Sequence, residues 1–133
     1  MPVCYHAASK TFHLQGKTFS YVLAVREDGT LVNLYWGSRL PDGEITYLMD
    51  GYQGSASFDP LFGHLPLEAP TRGTGYYGTP AVCAMNAQGN DLTTFVYEDF
   101  SMESGKPGIP GLPATYAESP DEATTLTIRL RDT

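Results

Sequence analysis

Three carboxylates, Asp50, Asp59 and Glu68, lie in a stretch that is dense in glycine, proline and aromatic residues. Glycoside hydrolysis uses two carboxyl groups that face each other across the scissile bond. Carboxylates also accept hydrogen bonds from sugar hydroxyls, and aromatic rings stack on the apolar faces of sugars. The aromatic residues of the stretch are Tyr52, Phe58, Phe62, Tyr76 and Tyr77. The composition suits a carbohydrate site, although acidic and aromatic residues are also common in surface loops.

Histidine and cysteine do not indicate a metal site. His6, His13 and His64 stand in unrelated contexts and at no metal-ligand spacing, and we expect a structural or surface role for His13. The sequence has no Cys-x-x-Cys pair. Cys83 lies in the apolar run "AVCAM", which predicts a buried free thiol. We therefore expect no metal and no cofactor.

Other catalytic signatures are also missing from the sequence. It contains no Gly-x-Ser-x-Gly elbow and no P-loop. "GTGYYG" is similar to a dinucleotide-binding glycine motif, but it does not follow a strand that leads into a helix. Lys106 is interpreted as a solvated loop lysine rather than a ligand contact.

The size, composition and charge of the chain indicate what kind of protein it is and which partners are not expected. Its 133 residues suit one domain with a modest core. Hydrophobic residues make up 41% and charged residues 17%, which is typical of a globular protein. The net charge is −7 and the basic residues form no cluster, so neither nucleic acid nor an anionic membrane is an expected partner. The N-terminus lacks the apolar core of a signal peptide, and we predict a cytoplasmic protein.

Alternation of apolar and polar residues predicts β-strands through most of the chain. Residues 18–37 are predicted to form a β-hairpin that turns at Asp28-Gly29. Alternation in its first strand places four residues on one face: Phe19, Tyr21, Leu23 and Val25. "TFHLQ" predicts an earlier strand. Several short strands without helices predict an all-β, antiparallel β-sandwich or barrel.

The later part of the chain predicts three more strands. "AVCAMN" is predicted as a short strand, followed by a turn at "AQGN". In "DLTTFVYEDFSM" one face is expected to carry Leu92, Thr94, Val96, Glu98 and Phe100. The terminal "TTLTIRLRD" alternates most regularly, with Leu126, Ile128 and Leu130 on one face and Thr125, Thr127, Arg129 and Arg131 on the other.

Two segments are not regular strands. Residues 38–80 predict an irregular but ordered connection of a length that usually serves a function, either binding or covering one end of the sandwich. "GKPGIPGLPATYAES" is rich in residues that restrict the backbone, which predicts a single conformation for this loop.

Several segments resemble the start of bacterial α-galactosidases of glycoside hydrolase family 36, in the family's order. They are "KTFHLQGKTFSYVLAVREDGTLVNLYWG", "LMDG", "LEAPTRGTGYYGTPAV" and "SGKPGIPGLPATYAES" with "EATTLTIRLRD". The last pair is the most specific, because it is long and unusual in composition. The resemblance covers nearly the whole chain.

The resemblance implies a fold and an activity. In that family the N-terminal part is a large β-sandwich, called a supersandwich, which precedes a (β/α)8 barrel and a small C-terminal β domain. The family hydrolyses terminal α-linked galactose with retention, using two aspartates that belong to the barrel. No residue here matches either aspartate. We therefore expect residues 1–133 to be the N-terminal sandwich segment of such an enzyme, with the barrel absent and without catalytic residues of its own.

The resemblance also implies partners and one site residue. In family tetramers, loops of the N-terminal sandwich help to close the active site of a neighbouring subunit, so the expected partners are the parent's barrel, a homo-oligomer and an α-galactoside oligosaccharide. Asp50 matches a sugar-contacting aspartate of the family. Gly51 replaces the arginine that usually follows, and Tyr76, Tyr77 and Gly78 replace a "D-F-R" segment of the family. An arginine that would approach the substrate from this region has no clear counterpart, and Arg72 is not assigned the role.

Alternative functions remain open from the sequence. One is a stand-alone carbohydrate-binding module of β-sandwich type, and another is a purely structural interaction domain. The sequence also leaves open whether the sugar is galactose or its N-acetylamino relative, and whether the natural chain continues past residue 133.

Overall fold

The computed structural model describes residues 2–50, 66–74, 76 and 78–133. Within these ranges the chain is almost entirely β, with one turn of α-helix, α1 (Tyr47–Asp50), and 3-10 turns at Arg72–Thr74 and Pro120–Glu122. The strands are β1 (Val3–His6), β2 (Thr11–Gln15), β3 (Phe19–Val25), β4 (Leu31–Ser38), β5 (Phe95–Ser104) and β6 (Thr124–Asp132). No helix in the described ranges has the length and apolar character needed to cross a membrane.

β1 to β4 form an antiparallel sheet in which each strand pairs with the next along the chain. The β3–β4 pair confirms the predicted hairpin, with Val25 opposite Leu31 beside the turn. Gly29 has a φ of 84°, and the Asp28 carboxylate accepts a hydrogen bond of 2.9 Å from the N–H of Thr30. Glycine is favoured there because a positive φ strains other residues. The strand predicted at "TFHLQ" is confirmed as β2, whereas β1 was not predicted.

β5 and β6 form a second, two-stranded antiparallel sheet. The predicted terminal strand is confirmed, and its three apolar residues Leu126, Ile128 and Leu130 pack against the core. On its other face, the Arg129 guanidinium donates to the Asp99 carboxylate at 2.7 Å.

The core lies between the two sheets and is centred on Phe12. This side chain is fully buried. Its ring centroid lies 4.7 Å from that of Tyr5 on the same sheet, and 5.0 Å from Phe100 and 6.4 Å from Tyr97 on the other. The two sheets therefore pack face to face, which confirms the predicted all-β antiparallel sandwich.

A β-bulge in β5 overturns the face predicted for that strand. Tyr97 pairs with Leu130 and Asp99 with Arg129, so Glu98 is an extra residue on β5. An extra residue reverses the alternation along a strand. Tyr97 therefore packs on the core before the bulge, and Phe100 packs on it after the bulge. The prediction that Val96 shares a face with Phe100 was wrong for this reason.

The strand and the buried thiol predicted around Cys83 are also wrong. Residues 81–86 belong to none of the strands in the described part of the chain, and Cys83 is exposed. The turn that follows is present, because Asn86 Oδ1 accepts hydrogen bonds from the N–H groups of Gln88 and Asn90, both at 3.0 Å. The prediction failed because apolar residues alone do not make a strand: its backbone N–H and C=O groups also need a neighbouring strand to bond with.

Candidate functional site

The segment after β4, residues 39–50, is bound to the face of the first sheet that points away from the core; we call this the outer face. Alternation along β3 places Ser20, Val22 and Ala24 there, and all three are fully buried. The N–H of Leu40 donates to Ser20 Oγ at 2.9 Å, and the carbonyl of Leu40 accepts from Gln15 Nε2 at 3.3 Å. Side chains of two strands thus bind both main-chain groups of one loop residue.

Two histidines meet one carboxylate on the outer face. Asp42 Oδ1 lies 2.9 Å from His6 Nε2 and 3.3 Å from His13 Nδ1. His13 is 2% exposed, and its Nε2 lies 2.8 Å from Ser20 Oγ. The sequence placed His6 and His13 in unrelated contexts, but the β1–β2 register brings them to one face, where Cys4 pairs with His13. The structural role expected for His13 agrees with its burial.

The charges around Asp42 shift two acid–base equilibria. Hydrogen bonds from His6 and His13 hold the pKa of the Asp42 carboxyl below its usual range. Burial, followed by the nearby Asp42 charge, raises the pKa of the Cys4 thiol. Within the part of the chain that the structure describes, no group of three or more His, Cys, Asp and Glu side chains suits a metal ion; His64 lies outside that part.

The lowered pKa of Asp42 predicts acid sensitivity. A carboxyl whose pKa is lower in the folded state adds stability above its unfolded pKa of about 3.9, and this stability is lost as pH falls through the folded value. We expect Asp42→Asn to reduce the fall in the urea midpoint between about pH 4 and pH 3. Parallel midpoint curves for both proteins would contradict this expectation.

The short helix α1 follows Asp42 and ends at Asp50. Glu44 Oε1 accepts a hydrogen bond of 3.0 Å from the N–H of Thr46. The Thr46 side chain first, and then this N–H, lower the pKa of Glu44 by hydrogen bonding to its carboxylate. The N–H of Met49 donates to the carbonyl of Thr46 at 2.8 Å. An open cleft of about 880 Å³ lies beside this turn, lined in part by Lys10, Arg26, Glu44, Thr46 and Met49. The cleft beside α1 is therefore lined largely by polar and charged side chains.

The carboxylates predicted for a sugar site are only partly described. The backbone of Asp50 ends α1, but its side chain lies outside the described part of the structure, as does the whole of Asp59. Glu68 is described: its N–H donates to the carbonyl of Leu31 at 3.1 Å. Burial, followed by the nearby Glu68 carboxylate, raises the pKa of Tyr21.

An aromatic group next to Glu68 was not singled out from the sequence. The Trp36 ring lies 5.0 Å from that of Tyr21, edge to face, and 5.4 Å from that of Phe19. Trp36 is 67% exposed, whereas Tyr21 packs against the core. An unpaired Leu34 reverses the alternation of β4 and brings Trp36 opposite Tyr21 on the core-facing side, which alternation in the sequence alone does not show. Of the aromatic residues predicted for the site, Tyr76 is described and the others are not.

The glycine- and proline-rich loop before β6, for which the sequence predicts a single conformation, turns at two glycines. Gly105 and Gly111 have positive φ values of 87° and 75°. The Lys106 ammonium donates to the Thr115 hydroxyl across the loop. Lys106 is exposed, as the sequence predicted for a solvated lysine. The apolar side chains that this loop exposes are Ile109, Leu112 and Tyr116.

Comparison with known proteins gives consistent matches along the chain. The model of the "Glycosyl hydrolase family 36 N-terminal domain" matches residues 29–133. "Alpha-galactosidase 1" of Pediococcus pentosaceus is 38% identical over 94% of this chain and 18% of its own length. The crystal structure of the α-galactosidase AgaB from Geobacillus stearothermophilus is 33% identical, with a TM-score of 0.85 over 99% of this chain and 19% of its own. A variant of AgaA from the same organism, in complex with raffinose, is 32% identical over 92% of this chain and 18% of its own, with a TM-score of 0.83.

Together the two-sheet sandwich and these matches define a β-rich domain of the kind that begins a glycoside hydrolase. The chain belongs to glycoside hydrolase family 36 and corresponds to the N-terminal domain of the family's enzymes. This confirms the resemblance drawn from the sequence. The chain spans about a fifth of the length of the relatives that it matches.

Proposed function

We propose that this chain is the N-terminal β-sandwich segment of a retaining α-galactosidase that hydrolyses terminal α-linked galactose from oligosaccharides. The observation that carries the proposal is the likeness over 92% of the chain to an α-galactosidase structure in complex with raffinose. In this proposal the catalytic aspartates belong to the barrel of the parent enzyme. A parent protein assayed on raffinose tests it: release of galactose by the parent and none by residues 1–133 is the expected result.

The proposed role of the segment is to assist assembly and to complete the active site, with the barrel and a second copy of the enzyme as partners. Support comes from the surface of α1, where Tyr47 is 67% exposed and Leu48 is 40% exposed. Exposed apolar side chains next to a polar cleft suit contact with a neighbouring protein surface. Asp50, at the end of this turn, is the proposed sugar contact.

Asp50→Ala is expected to raise the Michaelis constant of the full-length enzyme for raffinose by roughly tenfold to a hundredfold. Hydrogen bonds to a charged group contribute about 1.5–3 kcal/mol, and a contact made in both ground and transition states changes KM rather than kcat. The matched control is Asp121→Ala, which removes an exposed carboxylate from the 3-10 turn before β6. An unchanged KM in Asp50→Ala would remove Asp50 from the site.

A second candidate function is a stand-alone carbohydrate-binding module, which the exposed Trp36 favours. An accessible indole beside the rings of Phe19 and Tyr21 offers a stacking surface for a sugar, and the Tyr21 hydroxyl offers a polar group. Calorimetric titration of the isolated chain with galactose, N-acetylgalactosamine and raffinose separates the two functions. Saturable binding by the isolated chain supports the module and identifies the sugar, whereas no binding supports the enzyme segment.

We also propose a cytoplasmic setting without nucleic-acid or membrane partners. Cys4 and Cys83 are both free thiols, as suits a reducing compartment. The net charge of −7 opposes binding to nucleic acids and to anionic lipid surfaces.

A further inference from the structure

The hydrogen bonds between residues 39–50 and the outer face form one connected series. His13 is its centre, because it is buried and bonded on both ring nitrogens, to Ser20 Oγ at 2.8 Å and to Asp42 Oδ1 at 3.3 Å. Ser20 Oγ in turn accepts from the N–H of Leu40 at 2.9 Å. The series therefore joins β2 and β3 to two separate points of the segment.

The chemistry of these groups fixes the direction of the bonds. A carboxylate only accepts hydrogen bonds, so His13 Nδ1 must carry a proton to bond Asp42. In a ring with its proton on Nδ1 alone, Nε2 is an acceptor, and the Ser20 hydroxyl can donate to it while accepting from the Leu40 N–H. Each polar group of the series then has a partner, as buried polar groups require. Breaking one bond leaves another group without its partner, so the series acts as a unit.

The segment has internal hydrogen bonds between Glu44 and Met49. The Glu44 carboxylate accepts from the N–H of Thr46 at 3.0 Å, and the N–H of Leu48 donates to the carbonyl of Ile45 at 3.1 Å. Local bonds of this kind hold a short turn in one shape but do not attach it to the sheet. The hydrogen-bonded attachment comes from the Leu40 and Asp42 contacts, while Leu48 and Met49 line a small cavity with Val32 and Leu34 of β4.

We propose that His13, Ser20 and Asp42 form a clasp that sets the position of α1 on the sheet, and with it the position of Asp50. The proposal rests on the proposed function, since it makes the three residues positioning residues for a sugar contact at Asp50. The titratable groups that face the clasp are Cys4 and His6 of β1, together with Glu44 of the segment. His6 donates to the same carboxylate oxygen at 2.9 Å and reinforces the clasp from its exposed side.

The first test measures amide hydrogen exchange by NMR in the 133-residue chain. Ser20→Ala removes the acceptor of the Leu40 N–H, and we expect the exchange of this amide to accelerate about tenfold. Asp42→Asn is expected to accelerate exchange at Leu48 and Met49, and Asp42→Glu to restore part of the protection. The control is Asp99→Asn, which breaks an exposed ion pair on the other sheet. Unchanged protection at Leu40 and Met49 in both clasp variants overturns the clasp.

The second test uses the full-length enzyme and raffinose. Asp42→Asn is expected to raise KM about fivefold with kcat unchanged, because coupling through a positioning network is worth a few fold to a few tens of fold. In the Asp50→Ala background the same substitution is expected to have no further effect on KM. This loss of effect separates positioning of Asp50 from a general loss of stability.

The outcomes of the two tests distinguish the clasp from the proposed function. If Asp50→Ala raises KM but Asp42→Asn does not, the positioning role is overturned and the proposed function stands. If Asp42→Asn still raises KM in the Asp50→Ala background, the positioning role is also overturned. If neither substitution changes KM, the proposed sugar contact fails and the positioning role fails with it. Should Ser20→Ala not fold, Asp42→Asn and Asp42→Glu carry both tests alone.

Discussion

Phe12→Ala is expected to lower the free energy of unfolding by about 3–5 kcal/mol, the range for truncating a fully buried aromatic side chain. Phe12 contacts Tyr5 on its own sheet and Phe100 on the other, so its removal leaves a cavity at the junction of the sheets. A two-stranded sheet depends on packing for its stability. Urea unfolding followed by circular dichroism measures the change.

Tyr116→Ala is the matched control for Phe12→Ala, because it also truncates an aromatic ring but at a position that is 82% exposed. Its effect is expected to stay within about 0.5 kcal/mol. Equal losses in the two variants would show that Phe12 does not hold the sheets together.

Gly73→Ala is expected to cost about 1–3 kcal/mol through overpacking. A Cβ on Gly73 would lie 2.7 Å from the carbonyl carbon of Thr93 and 2.8 Å from Thr94 Oγ1. The Thr93 carbonyl cannot move away freely, because it accepts hydrogen bonds from the N–H of Gly73 at 3.1 Å and from the Thr71 hydroxyl. The substitution therefore strains the contact between the Arg72–Thr74 turn and the two threonines that precede β5, Thr93 and Thr94.

Gly108→Ala is the control for this substitution, since an added Cβ there meets nothing within 4 Å. Its expected effect is within about 0.5 kcal/mol, and restriction of the unfolded chain favours a slight stabilisation. Urea midpoints of Gly73→Ala and Gly108→Ala that agree within error would contradict the predicted clash.

The elements that could be predicted from the sequence are those whose signals are local. β3 alternates up to the Asp28-Gly29 turn and β6 alternates without interruption, so these two strands and their buried faces follow from neighbouring residues. No buried face was predicted for β4, because both of its faces are apolar, and an unpaired Leu34 reverses its alternation. β1 is only four residues long, which is too short for alternation to distinguish it from a loop. The prediction of the buried face of β5 was wrong because Glu98, which is unpaired in the register, is not a residue type that indicates a β-bulge.

The candidate site was less predictable because its contacts are distant in sequence. Asp42 lies 29 positions from His13 and 36 from His6. His13 and Gln15 alternate with Phe12 and Leu14, which is the usual pattern of a solvated face, and only the covering segment shows that they are buried. Asp50 was predicted by resemblance alone, and its role as a sugar contact stays a prediction.

The openness of the sheet at Trp36 has a spectroscopic consequence. Trp36 is the only tryptophan in the sequence, and in the folded chain its indole is already 67% exposed. Its emission should therefore lie at long wavelength before denaturant is added, so fluorescence is a poor probe of unfolding. The same property makes it a clean probe of contact, because any molecule that covers this end of the sheet should shift the emission to the blue without interference from another indole.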